Sequence, residues 1–309
     1  MRVAIAQTRP VLLDREATLE RVLLHAREAA DGGARLVCFG EALVPGYPFW
    51  TERTDGARFD SDLQKRFHAR YLDAAVVPEA GHLDALQALA REAGIAIYLG
   101  AVERAPDRGA HTLYCTLFYI DPEGRLAGRH RKLVPTFEER LSWGIGDGAG
   151  LRTHPLGQGI TVGGLNCWEN WMPLARAALY AQGENLHVAV WPGGPHNSAQ
   201  PTQFIAREAR SFVLSSCGIF HADDLPDDFP ERERFSGWLA EGGSCAAGPD
   251  GAWLLEPQPH REGVFSFEID PEAVLRERQN FDLSGHYSRP DVLSLTVDRS
   301  RNVPVRFKD

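Results

Sequence analysis

The sequence predicts an α/β protein built as a layered sandwich. Short apolar strands alternate with helices of 3.6-residue periodicity along most of the chain, which favours parallel strand pairs. Antiparallel hairpins on tight turns are mixed in, which fits stacked sheets better than an all-parallel barrel.

Taken in order, VAIAQ within residues 2–7 is a first strand. Leu19, Val22, Leu23, Ala26 and Ala30 then form one apolar helical stripe, stopped at Asp31-Gly32-Gly33. ARLVCFGE follows as a buried strand ending at Glu41. Leu83, Leu86, Leu89, Ala90 and Ala93 mark a second amphipathic helix that stops at Gly94 before the strand IAIYLGAVE. TLYCTLFYI, the turn DPEG and the extended run into RHRKLV predict a hairpin. ITVGGLNC is a strand followed by the helix WMPLARAALYAQG, and LHVAVWPGG is a strand again. QFIAREARSFVLSS is expected to be helical, leading into CGIFHA. SCAAGPDGAWLLEP is a second hairpin on its PDG turn, and GVFSFEID is a last strand. No repeat, low-complexity tract or linker divides the chain, so residues 1–309 are expected to be one domain, with 283–309 as an arm over the surface or a neighbouring subunit.

Hydrophobic residues make up 43% and charged residues 24%, enough for a sizeable core. A net charge of −9 without a basic block argues against nucleic acid or an anionic membrane as partner. No run approaches the roughly 18 apolar residues of a membrane helix, and MRVAIAQTRP fits a first strand rather than a secretory leader. The five cysteines are odd in number, far apart and free of CxxC spacing, which predicts reduced thiols in a cytoplasmic protein rather than a disulfide framework or a zinc site.

Two familiar signals lack their structural context. WGIGDGAG at 143–150 loosely matches a dinucleotide fingerprint, yet no strand precedes it and no helix follows. GGSCA at 242–246 resembles a serine nucleophile elbow, but a PDG turn stands where the helix should start. There is no HExxH, and the eleven histidines lack ligand spacing, so no metal is expected.

GGLNCWENWMP, residues 163–173, is the informative stretch. Cys38, Cys115, Cys217 and Cys245 sit among apolar or small residues and are expected to be inert packing. Cys167 instead stands at the carboxyl end of a strand, before polar Glu169 and Asn170, where α/β sheets gather their ligand sites. It is either one more buried small residue or a nucleophile. Glu41 ends another strand, as a cap or a general acid/base, and Lys132 ends the hairpin, as a solvated cation beside Arg129, His130 and Arg131 or as a catalytic one. A cysteine, a glutamate and a lysine at separate strand ends form a coherent set, with the carboxylate moving protons and the ammonium holding developing charge. A Cys-His hydrolase would need a partner such as His187 or His196.

Three stretches together resemble the nitrilase superfamily, and specifically its nitrilase branch. The segment from Gly163 through Cys167-Trp168-Glu169-Asn170 to Arg176 resembles that branch's cysteine signature. FGEALVPGYPFW resembles the segment of its catalytic glutamate, and HRKLVPTFEERLSWGIGDG that of its lysine. The likeness runs from the first strand to GHYSRPD, nearly the whole chain.

The resemblance implies a four-layer α-β-β-α sandwich pairing across subunits as a homodimer or larger homo-oligomer. It implies Cys167 as nucleophile, Glu41 as general base, Lys132 as cationic stabiliser, and Glu139, rather than the adjacent Glu138, as a second glutamate positioning the lysine or substrate. The Trp168 N–H is a natural oxyanion donor, and the start of a helix after Cys167 is expected to favour its thiolate. The implied reaction is hydrolysis of an organic nitrile, arylaliphatic or medium aliphatic, to a carboxylic acid and ammonia, without a cofactor. An amidase or carbamoyl hydrolase, a nitrile or cyanide hydratase, and a non-catalytic binding protein are the alternatives. Tyr47, Trp143, Trp168, Trp171 and His196 are the candidate substrate-binding residues. Phe137 departs from the His or Tyr of many relatives, which leaves substrate preference open.

Overall fold

A computed structural model describes residues 1–305 and 308 of the chain. The first half runs β1 (Arg2–Gln7), α1 (Arg15–Asp31), β2 (Leu36–Phe39), a short α2 (Trp50–Arg53), α3 (Asp62–Ala74), α4 (Asp84–Ala93), β3 (Ala96–Arg104), β4 (Leu113–Ile120) and β5 (Leu126–Arg131). The second runs β6 (His154–Gly157), β7 (Ile160–Asn166), α5 (Pro173–Tyr180), β8 (Leu186–Trp191), α6 (Pro195–Ala209), β9 (Phe212–Cys217), β10 (Ile219–His221), β11 (Trp238–Ala247), β12 (Trp253–Pro259), β13 (Gly263–Glu268) and α7 (Pro271–Glu277).

The strands form two sheets. One has the order β13-β1-β2-β3-β4-β5, and the other β10-β11-β9-β8-β7-β6 with β12 paired to β11. Each is parallel at its centre, where helical crossovers join the strands, and antiparallel at its edges.

Alternation of side chains along each strand gives both sheets two apolar faces, and both are covered. The inner faces meet through Val3, Ile5, Tyr98 and Leu117 on one side and Val162, Val188, Phe212 and Leu214 on the other. On the outer face of the first sheet, Leu19, Val22 and Ala26 of α1 and Leu86 and Leu89 of α4 pack against Val37, Phe39, Ile97 and Leu99. Each such large side chain contributes about 1.5–3 kcal/mol through burial. Ala175 and Leu179 of α5, and Ile205 and Ala206 of α6, cover the second sheet. The result is the α-β-β-α sandwich expected.

One expected element is different. The helix expected over 203–216 begins earlier, at Pro195, and ends at Ala209, where Arg210 turns into the left-handed region (φ 50°). FVLSSC then becomes β9, fully buried between parallel β8 and antiparallel β11. Pairing on both edges overrides the helical pattern of the preceding residues. α3 has no counterpart among the elements read from sequence, although Ser61 caps it and Phe67 and Tyr71 recur at helical spacing on its buried side.

The last described helix or strand is α7. Beyond it the chain folds back over its own surface, tied by Arg301 and the Asn302 N–H to the Asp147 carboxylate at 2.9 and 3.0 Å. Gly148 is required there, since a Cβ would collide with the Asp298 carbonyl. Of the arm expected over 283–309, residues 306, 307 and 309 lie outside the described residues.

Candidate active site

The carboxyl ends of β2, β5 and β7 converge at one place between the two sheets. Gly40 and Glu41 follow β2. The Glu41 N–H donates across to the Trp191 carbonyl at the end of β8, at 3.3 Å, so the carboxylate is anchored to both sheets. Gly100 of β3 lies directly beneath, and a Cβ there would occupy the Gly40 carbonyl. Lys132 is the first residue after β5. Its N–H continues the hairpin ladder onto the Cys115 carbonyl of β4 at 2.8 Å.

Cys167 is the first residue after β7 and opens a 3-10 turn over Cys167–Trp171. Its φ is +46°, a left-handed conformation costing a non-glycine residue on the order of 1–3 kcal/mol. Local bonds hold it there. Asn170 Nδ2 donates to the Cys167 carbonyl at 2.8 Å, and Asn166 and Glu169 form a reciprocal capping box around the turn.

Four side chains meet at these ends. The Cys167 sulfur and one carboxylate oxygen each from Glu41 and Glu139 lie within 4.8 Å of one another. Lys132 Nζ donates to Glu41 Oε1 at 2.9 Å and to Glu139 Oε2 at 2.6 Å, so the cluster's cation comes from the chain itself. Glu139 sits on a 3-10 turn, Phe137–Leu141, where it also accepts the Thr136 N–H at 2.6 Å. Tyr47 donates its hydroxyl to the other Glu139 oxygen at 2.9 Å. Trp143 is buried, with its ring 5.6 Å from Lys132 Nζ.

Burial sets the proton affinities. It pushes Glu41 up to about 7, aided by the Glu139 charge and opposed by Lys132. Burial alone would lower Lys132, but Glu41, Cys167 and Glu139 together hold it well above the usual ammonium range. Burial and then the Glu41 charge push the Cys167 thiol well up, against the pull of Lys132 and the Trp168 N–H. The expectation that a helix start would favour the thiolate is therefore corrected. A five-residue 3-10 turn does not outweigh burial beside a carboxylate, and the site favours the thiol.

Beneath this cluster lies a second polar layer. Glu169 is fully buried, yet its charge is favoured by His130 and by the N–H groups of Leu133 and Asn166, which together outweigh desolvation. It accepts the Asn166 N–H at 2.8 Å and His130 Nε2 at 3.1 Å, and bonds the Leu133 N–H as well. His187 uses Nδ1 on Glu184 and Nε2 on Asn170, at 2.9 and 2.7 Å. It braces the turn's asparagine rather than the sulfur. His196 is exposed on α6.

Several readings from sequence change here. Lys132, His130 and Arg131 are buried rather than solvated. Arg131 pairs with Glu103 and Asp107, away from the Lys132 ammonium. Cys115, taken as packing, lies 3.5 Å from Glu41 Oε1. The capping pattern Asn166-x-x-Glu169 was the available signal for Glu169, whereas nothing local marks Cys115. Of the aromatic candidates, Tyr47 and Trp143 adjoin the cluster, whereas Trp168 and Trp171 are 54% and 45% exposed, and Trp171 stacks on Phe204 of α6. A cavity of about 20 Å³, lined by Glu41, Leu43, Tyr47, Phe49 and Phe220 among others, opens beside the cluster.

A carbon-nitrogen hydrolase family model matches residues 2–278 of the chain. The chain is 38% identical over 305 residues to an aliphatic nitrilase from Sinorhizobium fredii, covering 96% of this chain and 95% of the relative. It is 35% identical to a bifunctional nitrilase/nitrile hydratase from Oryza sativa, covering 99% and 86%. Among solved structures, an amidase from a Nesterenkonia species superposes with a TM-score of 0.65 at 18% identity, over 91% of this chain and 97% of the amidase.

Proposed function

The chain belongs to the carbon-nitrogen hydrolase family, and from that premise we propose that it is a nitrilase, converting an organic nitrile and two waters to a carboxylic acid and ammonia. What carries the reading is the meeting of Cys167, Glu41 and Glu139 within 4.8 Å, with Lys132 bonded to both carboxylates.

Glu41 takes the Cys167 thiol proton as the sulfur attacks the nitrile carbon. A C–S bond forms, one C–N π bond breaks, and the proton passes to nitrogen to leave a thioimidate. Glu41, a carboxylate again, takes a proton from water as its oxygen adds to that carbon. The nitrogen is protonated in turn and departs as ammonia, leaving a thioester. A second water adds in the same way, the C–S bond breaks, and the acid leaves while the thiol is restored. Lys132, charged throughout, stabilises the negative charge of each addition, and Glu139 with Tyr47 holds it in place.

Loss of sulfur instead of ammonia from the tetrahedral intermediate would release an amide. A second reading, partial hydratase activity, is favoured by the bifunctional relatives. The likeness to aliphatic nitrilases from Sinorhizobium fredii and Rhodococcus rhodochrous supports aliphatic nitriles as substrates. Five free cysteines support a reducing, cytoplasmic setting, and no helix is long and apolar enough to cross a membrane among the described residues. The exposed, apolar Trp171, Leu174 and Phe204 support pairing of subunits, which sedimentation would measure.

The test is product analysis with aliphatic, arylacetic and aromatic nitriles beside their amides. Acid and ammonia in equal amounts from nitriles, abolished in Cys167→Ala, is the expected result. Turnover of amides alone, or full activity in Cys167→Ala, overturns the proposal.

A further inference from the structure

Cys115 is the third residue of β4 and fully buried, and it touches both members of the Lys132–Glu41 pair. Its carbonyl accepts the Lys132 N–H at 2.8 Å. Its Sγ lies 3.5 Å from Glu41 Oε1 and 3.8 Å from Asn166 Oδ1, and both of these are acceptors, so the thiol is the donor.

The Glu41 carboxylate is consequently asymmetric. Oε1 receives the Lys132 ammonium at 2.9 Å and faces the Cys115 thiol, whereas Oε2 is buried and has no partner among the described residues. Oε2 is thus the carboxylate oxygen left open to accept a proton, since its lone pairs are not engaged by a donor among the described residues.

We propose, on the reading of Glu41 as the proton carrier, that Cys115 is a positioning residue whose S–H locks Glu41 Oε1 so that the proton leaving Cys167 is taken by Oε2. In that step the Cys167 S–H bond breaks, the electron pair stays on sulfur for attack, and an O–H bond forms on Oε2. Cys115 keeps its own proton throughout. Without it Lys132 alone holds Oε1, and the carboxylate can tilt out of line with the Cys167 sulfur.

The titratable groups facing Glu41 are Lys132 after β5, Glu139 on its 3-10 turn, Cys167 after β7, Cys115 on β4, and the hydroxyls of Tyr47 and of Tyr71 on α3. Burial and the Glu139 charge raise the carboxyl's proton affinity, while Lys132 and the Cys115 thiol lower it. Removing the thiol therefore raises it further.

Cys115→Ala and Cys115→Ser would be compared with the unaltered protein in pH profiles of kcat/KM on a short aliphatic nitrile. The alanine variant should move the acidic limb upward by about half a pH unit, the scale of one weak donor to a carboxylate. Its kcat on the alkaline plateau should fall roughly 5- to 30-fold with KM within about threefold, as expected for an interaction used in the transition state. The serine variant retains a donor and should hold the limb near its original position. An unmoved limb in Cys115→Ala, or an equal displacement in both variants, overturns the proposal and leaves Cys115 as packing. Should the alanine variant fail to fold, a serine variant with a displaced limb does the same. Full activity in Glu41→Gln would instead overturn the reading of Glu41 as carrier, a separate failure.

Discussion

Lys132 Nζ donates to Glu139 Oε2 at 2.6 Å inside a cluster from which solvent is excluded. The same ammonium also satisfies Glu41, so one cation compensates two buried carboxylates. Breaking a buried pair by removing one partner typically costs about 3–5 kcal/mol, because the other charge is left uncompensated. Lys132→Ala is expected to lose both activity and stability, seen as a lower denaturation midpoint. Glu139→Gln keeps the shape and one acceptor, so it should lose roughly 100- to 1,000-fold in kcat with a much smaller change in midpoint. Equal destabilisation of the two variants would remove this distinction.

The pH profile follows from Glu41. Burial and Glu139 push its carboxyl up to about 7. Below that value the carboxyl is protonated and cannot accept the Cys167 proton, so activity is lost as pH falls through about 7. Lys132 lies far above the range and stays charged. A kcat/KM profile with its acidic limb near 4 would contradict this; a limb near 7 that tracks the Glu41–Cys167 pair is the expected outcome.

How much of this was legible in the sequence differs by residue. Glu41 and Cys167 each follow a recognisable apolar strand and Lys132 ends the extended arm of a hairpin, so strand-end position and resemblance to a known family together single them out. The layering was legible too, because α1 and α4 each show an apolar stripe on the buried side. β9 was misread because six buried residues after a helix carry no period of their own, and only pairing with β8 and β11 decides their state. Cys115 and His130 were missed for a similar reason. Their roles arise from partners 74 and 39 positions away in sequence, Glu41 and Glu169, which local pattern cannot reveal.

Glu169 links the two sheets at the point of chemistry. It bonds the Leu133 N–H, next to Lys132, and the Asn166 N–H, next to Cys167. Glu169→Gln retains one acceptor oxygen for four donors, so the two strand ends lose their common anchor. A misplacement of about 1 Å can cost on the order of 100-fold in rate. Steady-state kinetics should show a fall of that order in kcat with KM changed far less. A variant that folds and turns over within threefold of the unaltered protein would show that Glu169 does not set this spacing.

Substrate size is the last test. The cavity beside Glu41 measures only about 20 Å³, room for about one water, and the rings of Phe49 and Phe220 close one side, stacked 5.7 Å apart and 8° from parallel. If the nitrile's side chain enters here, a bulky arylacetonitrile has to displace one of these rings, whereas a short aliphatic nitrile needs a smaller shift. Phe220→Ala removes the buried ring and is expected to cost about 3–5 kcal/mol of stability. Phe220→Leu fills part of the space and should cost less. In both variants the ratio of kcat/KM for arylacetonitriles over short aliphatic nitriles should rise, by roughly tenfold or more in the alanine variant, since even one methylene in an apolar pocket is worth about 1–3 kcal/mol. An unchanged ratio with both variants folded would place the substrate's side chain against a different wall of the site.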